Sequence, residues 1–78
     1  MKIIVYGPGC AKCKQAEEVV KRVVAESAAV VEVEKITDLR EMVKAGVMST
    51  PAVAVDGVVK VAGRVPRAEE MRAWVGLT

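Results

Sequence analysis

VYGPGCAKCKQAEEVV, residues Val5 to Val20, holds the transition on which the reading of this chain turns. An apolar run from Lys2 to Tyr6 has the character of a central strand, and Gly7-Pro8-Gly9 breaks it. Beyond the break the hydrophobic period becomes helical. From about Cys10 to Glu26, Cys13, Ala16, Val20, Val23, Val24 and Ser27 share one face, while Lys14, Glu18, Lys21 and Arg22 share the other. Glu17 with Lys21, and Glu18 with Arg22, stand at i,i+4 in the favourable order. The only two cysteines of the chain, Cys10 and Cys13, therefore sit where a strand turns into an amphipathic helix.

Outward from this junction the pattern continues to alternate. Val30 to Glu34 sets Val31 and Val33 against Glu32 and Glu34, which predicts a second strand with one wetter face. Thr37 is placed to cap a short helix, with Asp38 in its first turn, Leu39, Met42 and Val43 as its buried stripe, and Gly46 as its stop. Ala52 to Val55 and Val58 to Ala62 flank Asp56-Gly57, a two-residue hairpin signal, and Gly63 closes the hairpin. Pro66 is placed to open a last helix, with Glu69 and Glu70 near its start and Met71, Trp74, Val75 and Leu77 as apolar anchors. The order β-α-β-α-β-β-α predicts an α/β fold with a four-stranded mixed sheet flanked by helices. Its first two strands are joined through a helix and should be parallel, with a right-handed crossover.

Composition bounds the function. Seventy-eight residues are expected to form one domain, residues 1–78, with a small core. A hydrophobic content of 53% against 28% charged residues excludes a disordered chain. With one Tyr, one Trp and no Phe, the core must be aliphatic. The net charge of +2 is spread over interspersed acids and bases, and few aromatics could stack on bases, which argues against nucleic acid as a partner. No run approaches the ~20 apolar residues of a membrane span, and Met1 to Gly7 is too short for the apolar core of a signal peptide. A cytoplasmic location is expected, where close cysteine pairs tend to be catalytic or metal-binding rather than structural.

Residues i and i+3 of a helix are neighbours, close enough for a disulfide. Such a bridge closes a very small loop, constrains the unfolded chain little, and makes a poor staple. A dithiol that opens and closes is a better use of the pair. Cys10 stands at the helix N-terminus, where unpaired N–H groups and the helix dipole favour an anionic sulfur, and Lys12 and Lys14 either add positive charge or are plain solvated surface. Cys10 is then the attacking thiolate and Cys13, one turn in, the resolving thiol. Two alternatives stay open on the residues alone. The cysteines could be small buried hydrophobes, or half of a soft-metal site, although the chain has no histidine and no third cysteine to complete a closed tetrahedral set. A second feature, Met48-Ser49-Thr50-Pro51-Ala52, places a proline at the first position of a strand. It reads either as a plain trans proline or as a cis-proline facing the dithiol, with the Thr50 backbone free to pair with an extended peptide.

Gly7-x-Gly9-Cys10-x-x-Cys13-Lys14, followed by Gly46-Val47-Met48-Ser49-Thr50-Pro51-Ala52, Asp56-Gly57 and Gly63-Arg64-Val65-Pro66, resembles the thioredoxin superfamily over essentially the whole chain. The resemblance is greatest to the small, glutaredoxin-sized "redox-active disulfide" proteins of prokaryotes. It implies a thioredoxin-like fold with Pro51 in cis beside the dithiol, and a protein-disulfide reductase or electron carrier with Cys10 as nucleophile and Cys13 as resolving residue. It further implies substrate contacts at Gly9, Ala11, Lys12, Thr50, Pro51 and Gly63. No cofactor is called for. The implied partners are protein disulfides and a thioredoxin-type reductase, with glutathione coupling or a soft-metal carrier role as alternatives, and a monomer is expected. The chain departs from the common pattern at three places. Ala11-Lys12 replaces the Gly-Pro of thioredoxins and the Pro-Tyr of glutaredoxins, Gly9 stands where thioredoxins usually carry Trp, and the first strand has no carboxylate to act as base for the inner thiol.

Overall fold

The computed structural model describes residues 1–27 and 30–76. Its elements are β1 (Lys2–Tyr6), α1 (Ala11–Glu26), β2 (Glu32–Ile36), α2 (Leu39–Lys44), β3 (Ala52–Val55), β4 (Val58–Ala62) and α3 (Ala68–Trp74). They build one mixed sheet in the order β2-β1-β3-β4. β1 pairs parallel with β2 and antiparallel with β3, and β3 pairs antiparallel with β4. This is the expected α/β architecture.

Alternation along the strands divides the core into two layers. Ile3 and Val5 of β1 and Val53 and Val55 of β3 face α1 and α3, where Ala16, Val20, Val23 and Met71 close over them. Tyr6, Ala52 and Ala54 face the other way, against Met42 of α2 and Val47. β3 is covered on both sides, so all four of its residues are buried. That is why this strand has no polar position in its sequence. Asp56 (φ 49) and Gly57 (φ 84) turn the β3–β4 hairpin with both central residues at positive φ, the geometry that Asp-Gly favours. The register slips between Val53 and Ala54, which leaves Lys60 as the extra residue of a bulge on the outer strand. A bulge and a lysine both blunt an exposed sheet edge.

Several expected boundaries and faces differ. β2 begins at Glu32 rather than Val30, because its partner begins at Lys2 and pairing starts where the Glu32 N–H reaches the Met1 carbonyl, 3.0 Å away. Asp38, not Thr37, caps α2, its carboxylate accepting from the Arg40 N–H at 2.8 Å. Only Met42 of the expected α2 stripe is buried, whereas Leu39 and Val43 are 68% and 69% exposed. Met42 and Val43 lie about 100° apart around the helix axis, and six residues give only one position that can point into the sheet. Pro66 is buried but precedes α3, whose cap is Arg67 and whose first helical residue is Ala68. Of the α3 anchors, Met71 and Val75 are buried and Trp74 is half-buried. Leu77 lies outside the described residues. Along α1 the Glu17–Lys21 pair forms at 2.9 Å, while Glu18 and Arg22 do not pair with each other.

Ion pairs tie the outside of the fold together, and three of their glutamates titrate low. Lys21 and then Lys35 hold Glu17 below the ordinary carboxylate range. Arg72 does the same for Glu26, bridging α3 to the end of α1 at 2.8 Å. Arg64, joined by the Arg67 N–H, lowers Glu70 to about 2. A carboxyl whose folded pKa lies below its unfolded value stabilises the fold above the unfolded value and loses that contribution as pH falls through the folded one. For Glu70 the window runs from an unfolded pKa of about 4.3 down to about 2. Thermal melts should therefore fall steeply across that interval, and Glu70→Gln should flatten the slope.

Candidate active site

The row Tyr6, Ala52 and Ala62, with Ile36 beside Tyr6, marks one end of the sheet. Two hydrogen bonds extend the ladder just past that row. Gly7 N–H donates to the Ile36 carbonyl at 3.0 Å, and Gly63 N–H donates to the Pro51 carbonyl at 2.9 Å. The register thus brings the Gly7-Pro8-Gly9 turn, the Thr50-Pro51 step and Gly63 to the same end, although they are far apart in sequence. The chain leaves β1 here and re-enters as α1, whose N-cap is Cys10.

Cys10 is exposed and Cys13 is buried, and both are free thiols. Their sulfurs stand 2.7 Å apart. As the capping residue, Cys10 turns its sulfur toward the Cys13 N–H at 3.3 Å, while its carbonyl accepts the first helical bond from Lys14 N–H at 3.0 Å. The Cys10 thiol is lowered from its ordinary value. The largest cause is the hydrogen bond from the Cys13 thiol, and the next is the Cys13 N–H. Partial loss of hydration opposes them, and the Lys12 and Cys10 N–H groups contribute less. An anionic sulfur at a helix N-terminus is stabilised by such donors. Lys12 contributes to this lowering through its backbone N–H, and both lysine side chains are exposed.

Gly7, which the sequence marks as a strand breaker and as part of the motif carrying the resemblance, packs at the site. A Cβ at this position would overlap Cys13, meeting its sulfur and standing 2.8 Å from its Cβ. Gly7 is glycine because the inner cysteine packs directly on its backbone. Gly9 is glycine for another reason. Its φ is +100, a conformation side chains resist, although there is open space around it. A Gly-x-Gly-Cys pattern hints at both roles, but only the packing tells them apart.

Pro51 is buried, Thr50 half-buried, and the peptide bond between them is cis. Among the described residues the Thr50 backbone has no hydrogen-bond partner. Gly63, with φ +84, is already engaged through its N–H with Pro51, and a Cβ on it would stand 3.2 Å from the Ser49 Cβ. Its place is thus behind the Ser49–Pro51 loop as much as at a substrate surface. No charged side chain is buried among the described residues, so no carboxylate stands ready as a buried base for Cys13. Nor do three metal-ligating side chains converge among them. Among the described residues no helix is long and apolar enough to cross a membrane.

A dithiol at a strand-to-helix turn, at the same end of the sheet as a proline that directly precedes an antiparallel strand, accompanies a match to a known family. The model of the thioredoxin domain matches residues 1–76. The chain belongs to the thioredoxin family. It is 40% identical over 72 residues to a thioredoxin of Methanothermobacter thermautotrophicus, covering 92% of this chain and 94% of that protein. It is also 40% identical over 70 residues to a thioredoxin of Methanocaldococcus jannaschii, covering 90% of this chain and 80% of that one. Membership of the thioredoxin family, with the Cys10 and Cys13 pair in place, makes the chain a thiol–disulfide oxidoreductase at the level of the family.

Proposed function

We propose that this thioredoxin-family chain, a single domain over residues 1–78, reduces protein disulfides in a reducing cytoplasm. Cys10 is the nucleophile and Cys13 the resolving thiol. The observation that carries the reading is the pairing of an exposed sulfur, lowered in pKa, with a buried one 2.7 Å away. In the first step the Cys10 thiolate attacks one sulfur of a client disulfide. A Cys10–client bond forms, the client S–S bond breaks, and the departing client thiolate takes a proton from water. In the second step Cys13 gives up its proton to solvent and attacks the Cys10 sulfur. The Cys10–Cys13 bond forms, the second client thiol is released, and two electrons have passed to the client.

The open Thr50 backbone supports a client that lies extended beside Pro51, with Gly9, Ala11 and Lys12 along the other side of the contact. The cycle is completed by a reductase of the thioredoxin-reductase class, which returns two electrons to the disulfide. A couple near −270 mV supports that partner, and one of roughly −200 to −230 mV would favour glutathione instead. Reduction of insulin disulfides in the presence of excess dithiol tests the reading, with turnover expected from the purified monomer. Stoichiometric Cu(I) or zinc binding by a protein that exchanges no disulfide would overturn it in favour of a metal carrier.

A further inference from the structure

The loop that holds Pro51 is fastened from behind through Gly63, and the fastening continues into residues outside the site described above. Gly63 grips it twice, through the 2.9 Å bond to the Pro51 carbonyl and through close packing on Ser49. The residue after this turn, Arg64, makes a bidentate pair with Glu70, each N–H to carboxylate contact 2.8 Å long. Glu70 is only 18% exposed, and the same carboxylate also accepts from the Arg67 N–H at 3.0 Å, one half of a capping box. Its neighbour Met71 is fully buried in the α1–α3 layer. A continuous chain of contacts thus runs from the core through α3, Glu70, Arg64 and Gly63 to the two residues that flank Thr50.

A capping carboxylate needs no arginine, and an isolated surface pair adds little. A carboxylate fixed by its own helix and gripping a guanidinium on both oxygens is more ordered than such a pair. Arg64 leaves β4 directly after Gly63, so this order is passed to the turn rather than to the core. We propose that the Arg64–Glu70 clamp positions the Ser49–Pro51 loop and so sets how well the chain accepts an extended peptide. Both are positioning residues that act through Gly63. The proposal rests on the reading that Thr50 and Pro51 receive the client.

The test compares the intact protein with Glu70→Gln and Arg64→Ala. The first keeps an acceptor for the Arg67 N–H and loses the charged grip. The second leaves the helix cap untouched. Each is assayed on insulin and on dithiodipyridine, a small neutral disulfide with no main chain to pair with Thr50. In both variants KM for insulin should rise about two- to fivefold with kcat unchanged, the scale set by a single exposed ion pair. The rate with dithiodipyridine should stay level, and the Gly63 amide should exchange with solvent faster. An unchanged KM in active variants overturns the clamp alone, as does a parallel loss on both disulfides, which marks a general structural role. An unmodified protein that reacts with dithiodipyridine but not with insulin overturns the client-reduction reading, and the clamp with it.

Discussion

Cys10→Ser should abolish the reduction of protein disulfides, an expected loss of at least about 10³-fold, or about 4 kcal/mol of transition-state stabilisation. The serine hydroxyl can still cap α1, so the fold should survive, but it offers no thiolate to form the mixed disulfide. Cys13→Ser gives a different result. Its exposed Cys10 should still attack with nothing to displace the client, so covalent complexes that dithiothreitol dissolves are expected to accumulate on non-reducing gels. The asymmetry follows from position, since one sulfur faces solvent at the cap and the other is buried one turn in. Cys13→Ala, which unlike the serine variant also removes the side-chain donor to the Cys10 sulfur, should raise the Cys10 pKa, because that bond is the largest cause of its lowering. Full turnover by Cys10→Ser, or complexes trapped by that variant instead, would contradict the assignment.

Gly7→Ala should be nearly as damaging, although residue 7 carries no reactive group. The added methyl would overlap the Cys13 sulfur and stand 2.8 Å from the Cys13 Cβ, an atom that no side-chain rotation can move aside. Either Cys13 turns away or the first turn of α1 lifts from the sheet. Overpacking of this kind costs about 1–3 kcal/mol, which in a domain this small lowers Tm by about 4–8 °C for each kcal/mol. The chemistry should suffer more than the fold, because the displaced group is the resolving thiol. Turnover should drop and trapped intermediates appear, a weaker form of the Cys13→Ser behaviour. An alanine variant with the parental Tm and the parental turnover would show that Cys13 does not pack on Gly7 as described.

The sheet was legible in the sequence because each of its determinants is local. The change of period after Gly7-Pro8-Gly9, the Asp56-Gly57 turn and the apolar run of β3 each report their own element. What the sequence could not resolve depends on contacts between elements. The start of β2 follows its partner's register rather than its own alternation. The rotation of α2, which buries Met42 and exposes Leu39 and Val43, depends on how a six-residue helix lies on a surface built from Ala52 and Ala54. At the site, the spacing of the cysteines and the capping position of Cys10 could be read directly. The role of Gly7, the use of the Gly63 N–H and the grip of Glu70 on Arg64 could not, because each joins residues that only the folded chain brings together.

Ala11-Lys12 departs from the intervening pairs common in the superfamily, and the geometry limits what it can do. Both residues are exposed in the first turn of α1, and Lys12 lowers the Cys10 thiol through its backbone N–H, by less than Cys13 does. The donors that favour the anion come from the backbone and from Cys13, a set that most residues at positions 11 and 12 would preserve.

The most direct test of the account follows the alkylation of the reduced protein by iodoacetamide as a function of pH, with the labelled cysteine identified by mass. The account predicts that Cys10 is labelled first, with a midpoint below the usual thiol value of about 8.5. Labelling that begins at Cys13, or a Cys10 midpoint at or above that value, would contradict it.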